Sequence, residues 1–107
     1  MISFHVEFTF AAEIEALQAF FWYETIKKGL GEDFKESVNS KIELLQQNPQ
    51  AYSFIYKDIR SVKIKSFPYN LIYRFLIQKF RSLQYFIIQE IRANGKKEFN
   101  KQFKKIS

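Results

Sequence analysis

Lys63 and Lys65 stand two residues apart in Val62-Lys63-Ile64-Lys65, where apolar and charged residues alternate. On a strand, that alternation puts both ammonium groups on one face, about 6.5–7 Å apart. Successive phosphates along one nucleic-acid strand have about that spacing, so two phosphate contacts are feasible. Arg92 could join them from a later strand. Cleaving RNA without a metal would further require a group that activates the 2′-OH and cations that stabilise the developing charge. A lysine near its ordinary pKa is a poor base unless neighbouring cations lower it. The competing reading is a solvated lysine face on a half-buried strand. Other chemistries find less support. The one histidine, His5, has no second ligand or nucleophile beside it, and Ser3, Ser37, Ser61 and Ser66 have no histidine in motif context. The chain has no cysteine, which removes disulfides, thiolate metal sites and cysteine nucleophiles. No metal and no cofactor is expected.

These residues need elements to hold them. Phe4, Val6 and Phe8 alternate with polar neighbours over residues 2–9, the period of a strand. From Ala11 to Lys28 the chain reads as helix, with two apolar stripes. Ile14, Leu17 and Phe21 form one; Ala16, Phe20 and Tyr23 form another. A single stripe suffices for a soluble helix, so the second, around Ala16, Phe20 and Tyr23, is expected to face outward. Glu13, Glu15 and Glu24 read as a solvated face. Gly29-Leu30-Gly31 turns the chain, and Glu32 and Asp33 suit the first turn of a second helix. Phe34, Val38, Ile42 and Leu45 make that helix's buried stripe, and Asn48-Pro49 stops it. Strands follow over 62–65, 70–78 and 83–91, the last two apolar on both faces. The order β-α-α-β-β-β predicts an α+β fold, a helical hairpin packed on an antiparallel sheet.

The 107 residues make one domain, residues 1–107. Residues 93–107 form a basic tail in which Phe99, Phe103 and Ile106 recur at helical spacing, which allows either a short helix packing part-time or a mobile segment. Hydrophobic residues are 47% of the chain, enough for a core. No apolar run approaches the ~18–20 residues of a membrane helix, and no signal peptide is visible. Charge is divided sharply. Residues 1–56 hold four Lys+Arg against eight Asp+Glu, a net −4; residues 57–107 hold thirteen against three, a net +10. An anionic partner is the natural inference, with surplus lysines kept for solubility as the alternative.

Trp22-Tyr23-Glu24, Gly29-Leu30-Gly31, Phe34, Asn48-Pro49, Tyr52, Asp58-Ile59-Arg60, Phe67-Pro68-Tyr69 and Tyr73 occur in this order and spacing. The set, over roughly residues 3 to 91, resembles the RelE/ParE superfamily of toxins from bacterial type II toxin–antitoxin modules, and its ParE-like, "plasmid stabilisation" branch in particular. The resemblance implies a small cytoplasmic toxin whose surface is covered by a cognate antitoxin. It implies one of two targets: DNA gyrase for ParE-like members, mRNA on the ribosome for RelE-like members. A degenerate relative would keep only antitoxin binding. Lys63 and Lys65 match the lysine pair of the nuclease members. Asn70 stands where those carry an arginine, residues 89–95 hold no histidine, and no tyrosine follows Tyr85, so the nuclease set is half present. Arg60, Lys63, Lys65, Arg74 and Arg92 are the candidate contacts for nucleic acid or another anionic partner. Phe20, Trp22 and Tyr23 are the candidates for an antitoxin interface or a homodimer contact, since Trp and Tyr are enriched at interface hot spots.

Overall fold

A computed structural model describes residues 4–78 and 83–93. The elements run β1 (His5–Phe8), α1 (Phe10–Ile26), α2 (Leu30–Gln47), β2 (Phe54–Tyr56), β3 (Ile59–Lys63), β4 (Tyr69–Gln78) and β5 (Leu83–Ala93). The fold is α+β, with two helices packed on one five-stranded sheet of order β1-β5-β4-β3-β2. Three pairings are antiparallel; β1 pairs with β5 in parallel, which a purely antiparallel expectation omits. The short edge strand β2 is an addition to the sequence reading. Its three residues are all exposed, so no alternation marks it. The tail helix that the spacing allows lies outside the described residues.

Helix α2 forms as its spacing predicts. Phe34, Val38, Ile42 and Leu45 are all buried, and Asn48 ends the helix by donating its amide to Leu44 O. Helix α1 differs. Thr9 caps it, its Oγ1 accepting from the Ala12 amide at 3.1 Å while donating to Gln89 O at 2.7 Å. Ala12 and Ala19 are buried, and Ala16 and Tyr23 pack against the core. The expected orientation is therefore reversed. The stripe containing Ala16 and Tyr23 faces the sheet, Phe20 is half-buried beside it, and Ile14, Leu17 and Phe21 face outward. Small alanines let the helix axis approach the strands, which large side chains on that face would prevent.

Gly29 begins α2 at φ 90°, a left-handed conformation that glycine adopts without strain. Having no side chain, it cannot cap the helix. Glu24 of α1 does so instead: its carboxylate accepts the Gly29 amide at 3.0 Å and the Gly31 amide at 2.7 Å. A negative charge at a helix N-terminus is doubly favourable there, as acceptor and as counter to the dipole. Glu24 is thus a structural clamp and not part of a solvated face. A Cβ on Gly31 would come within 2.6 Å of Phe20 O, so the two helices meet too closely for any other residue without a shift.

The core is strongly aromatic. Tyr23, Phe34, Phe67 and Tyr69 stack with ring centroids 4.9–6.2 Å apart, tying both helices to the turn between β3 and β4. Tyr73 is fully buried and donates its hydroxyl to Pro49 O at 2.6 Å. The WYE, NP and FPY segments are therefore mainly packing and capping devices.

Candidate functional site

The cations of the second half part company in the fold. Strand pairing aligns Lys63, Asn70 and Arg92 as one row across β3, β4 and β5. The adjacent row, Val62, Leu71 and Ile91, is buried in the core, so by alternation the Lys63 row faces away from it. Two inter-strand steps separate Lys63 from Arg92, about 9.5 Å between backbones. Strand β3 ends at Lys63, and Ile64 turns its amide to Tyr69 O at 2.9 Å. Lys65 therefore sits on the turn, beside Ser66 at φ 71°, and not on a strand face with Lys63. Tight closure of the turn around buried Ile64 and Phe67 causes this departure from the sequence reading. Both lysines are exposed and make no ion pair among the described residues.

The arginines are committed elsewhere. Arg60 donates to Gln50 O at 3.0 Å and Tyr52 O at 2.6 Å, and its guanidinium lies 3.8 Å over the Phe54 ring. It straps the segment after α2 to the sheet and is not presented to a partner as a free cation. Arg74 pairs with Asp58 at 2.7 Å and holds that carboxyl below its usual range. Arg92 bonds Glu90, two residues back on the same strand face. These pairings leave Lys63 as the cation of the row that is in no ion pair among the described residues, while Lys65, on the turn, lines a cleft with Asp33 and Glu36 of α2.

The margin of β5 holds a second polar group. Beyond β1 the Ile91 amide has no strand partner, and Glu15 of α1 accepts it at 3.0 Å. Burial raises the Glu15 carboxyl above 4.5, with the Glu90 charge adding to the rise, while the amide bond and Arg92 oppose it. Glu15, Trp22, Tyr69, Glu90 and Arg92 line a cleft of about 230 Å³ there. Glu15, like Glu24, serves the backbone. In both cases the sequence signal was faint: an acid on a helix, with its amide partners known only from the fold.

Of the interface candidates, Trp22 is exposed, Tyr23 belongs to the aromatic core and Phe20 is half-buried against Phe21. An apolar groove of about 340 Å³ runs between α1 and α2, with Leu17, Phe20 and Phe21 facing Phe34 and Val38. The outward residues Phe10, Ile14, Leu17 and Phe21 were not singled out by sequence for an interface.

Chemically, the row offers one exposed ammonium group, Lys63, beside Asn70, whose amide donates to Ser61 Oγ at 2.9 Å, and the paired Arg92. His5 lies about 20 Å along the sheet from it, paired across to Tyr85 and 3.4 Å from Glu7. Among the described residues, no group of three or more His, Asp or Glu is placed to hold a metal ion. Nor, among them, is any helix long and apolar enough to cross a membrane.

No protein-family model and no curated protein matches the sequence. A solved structure does match in shape. The chain superposes on one from the chromosomal ParDE TA (toxin–antitoxin) system from P. aeruginosa with a TM-score of 0.69, covering 85% of this chain and 96% of that one at 15% identity. The fold is therefore that of a ParDE-system chain, the fold that the ordered motifs of the sequence imply.

Proposed function

We propose that this chain is the toxin of a type II toxin–antitoxin module, cytoplasmic, held inactive by a cognate antitoxin, and acting by binding to DNA gyrase. The observation that carries the reading is the fold likeness to a ParDE-system chain across nearly the whole of both chains. The motif set points to the same superfamily. An antitoxin segment rich in Asp and Glu suits Lys63 on the sheet and Lys65 on the following turn, both exposed and in no ion pair among the described residues.

The geometry favours gyrase over RNA as the target. Ribosomal cleavage would need a base near the reacting 2′-OH. Glu90, two residues before Arg92 on β5, is bonded to Arg92, and Asn70 occupies the middle position of the row. A binding inhibitor needs none of this machinery.

The test is induction of the chain alone in a bacterial host, then with the neighbouring reading frame. Growth arrest with a DNA-damage response and intact bulk mRNA, relieved by the neighbour, is expected. Cuts in mRNA at ribosomal A-site codons without DNA damage would overturn the gyrase assignment. Normal growth with soluble protein would overturn toxicity.

A further inference from the structure

Helix α1 is built inside out for a monomer. Successive residues advance by about 100° around a helix. Ala12, Ala16 and Ala19 lie on the sheet side, while Phe10, Ile14, Leu17 and Phe21 cluster within about 60° of one another on the opposite side. Phe10 is 77% exposed, Leu17 52% and Phe21 60%. The two acids Glu15 and Glu24 are turned to backbone amides, which leaves Glu13 as the one acid of α1 with no such use. A helix apolar on both faces is expected to be covered on both.

The spacing of the outer stripe says what fits it. Positions 10, 14, 17 and 21 step by four, three and four, the narrow seam of a two-helix coil. That series reads the same in both directions. Set antiparallel to itself about a two-fold axis between residues 15 and 16, it places Ile14 against Leu17 and Phe10 against Phe21, and each contact occurs twice, as an isologous interface demands. The same register sets Glu13 opposite Gln18, so no like charges meet. The four seam side chains present on the order of 400 Å² per chain. With the exposed flanks Ala11, Glu13, Gln18 and Thr25, two copies would bury about 1,000 Å² in all, the threshold for a specific interface.

We infer that α1 pairs antiparallel with α1 of a second copy of this chain through Phe10, Ile14, Leu17 and Phe21. The inference goes beyond the toxin reading and does not depend on it. At this area the dimer forms and dissociates with concentration.

The native chain has no cysteine, so introduced thiols report cleanly. Ile14→Cys and Leu17→Cys chains are prepared separately and mixed under mild oxidation. The mixture is expected to give a covalent dimer much faster than either chain alone, because residue 14 faces residue 17 and not itself. Sedimentation equilibrium of the unmodified chain should show mass rising from 12.9 kDa toward twice that with concentration. Leu17→Asp should hold it at 12.9 kDa with an unchanged circular-dichroism spectrum. Three results would each overturn the inference: a monomer at every concentration, a dimer that survives Leu17→Asp, or equal cross-linking in mixed and unmixed chains. A monomer whose α1 becomes protected only beside the co-expressed neighbour would assign the face to an antitoxin instead. Should Leu17→Asp fail to fold, the cysteine mixture still decides.

Discussion

Replacing Glu24 by alanine should loosen the helical hairpin at its bend. The carboxylate is the acceptor for two amides, Gly29 and Gly31, at 3.0 and 2.7 Å, and α2 has no side-chain cap of its own. A hydrogen bond to a charged group contributes ~1.5–3 kcal/mol, and losing an N-cap costs ~0.5–2 kcal/mol. The two figures describe overlapping interactions, and the site is half-buried, so about 2 kcal/mol is expected in total. For a domain of this size that lowers Tm by roughly 10 °C. In urea the midpoint should fall by about 1 M at constant m-value. Glu24→Gln keeps an acceptor and loses the charge, so it should cost about half as much. Amide exchange gives the local reading, with Gly29 and Gly31 exchanging faster in Glu24→Ala than in the parent. An unfolding free energy within about 0.5 kcal/mol of the parent, with Gly31 exchange unaltered, would refute the clamp.

Tyr73→Phe strands the buried Pro49 carbonyl and should cost about 1–3 kcal/mol by denaturant titration. Burial pushes the Tyr73 hydroxyl up to about 12, so the folded state holds that proton after the unfolded chain has lost it. Stability should therefore fall as pH rises from about 10 toward 12, and Tyr73→Phe should flatten that slope. Glu15 has a raised folded pKa, so the unfolded state releases its proton first and stability declines as pH climbs above 4.5. Glu15→Gln, still able to accept from Ile91, should remove the decline and leave the fold intact at neutral pH. Lys63→Glu with Lys65→Glu should weaken binding of the neutralising partner and flatten its salt dependence without unfolding the chain; an unchanged salt slope would return both to an ordinary solvated face.

Helix α2 was legible because its polar and apolar residues separate cleanly, so spacing alone fixes Phe34, Val38, Ile42 and Leu45 as the inner face. Helix α1 was legible as a helix but not in orientation. It is apolar on two opposite faces, and periodicity cannot choose between them when the inner one is made of alanine. Strand β2 was missed because three exposed residues carry no pattern. The parallel β1–β5 pairing is a long-range relation that no local signal encodes. The site shows the same division. Lys63 is exposed, as its place in the alternation leads one to expect, but the strand ends there and does not run on to Lys65. Arg60 looks equally available in sequence, yet carbonyls eight and ten residues away claim its guanidinium.

The pairing of β1 with β5 also fixes an order of events during synthesis. His5 must wait for Tyr85, and Thr9 for Gln89, partners 80 residues later. The α1–α2 hairpin, whose contacts are local, can form well before then. At ~5–20 residues per second, β1 spends several seconds without a strand partner while the rest of the chain is made. The sheet, and with it the row joining Lys63, Asn70 and Arg92, closes only when β5 is free of the ribosome. A nascent chain therefore cannot complete that row until β5 has emerged and paired with β4.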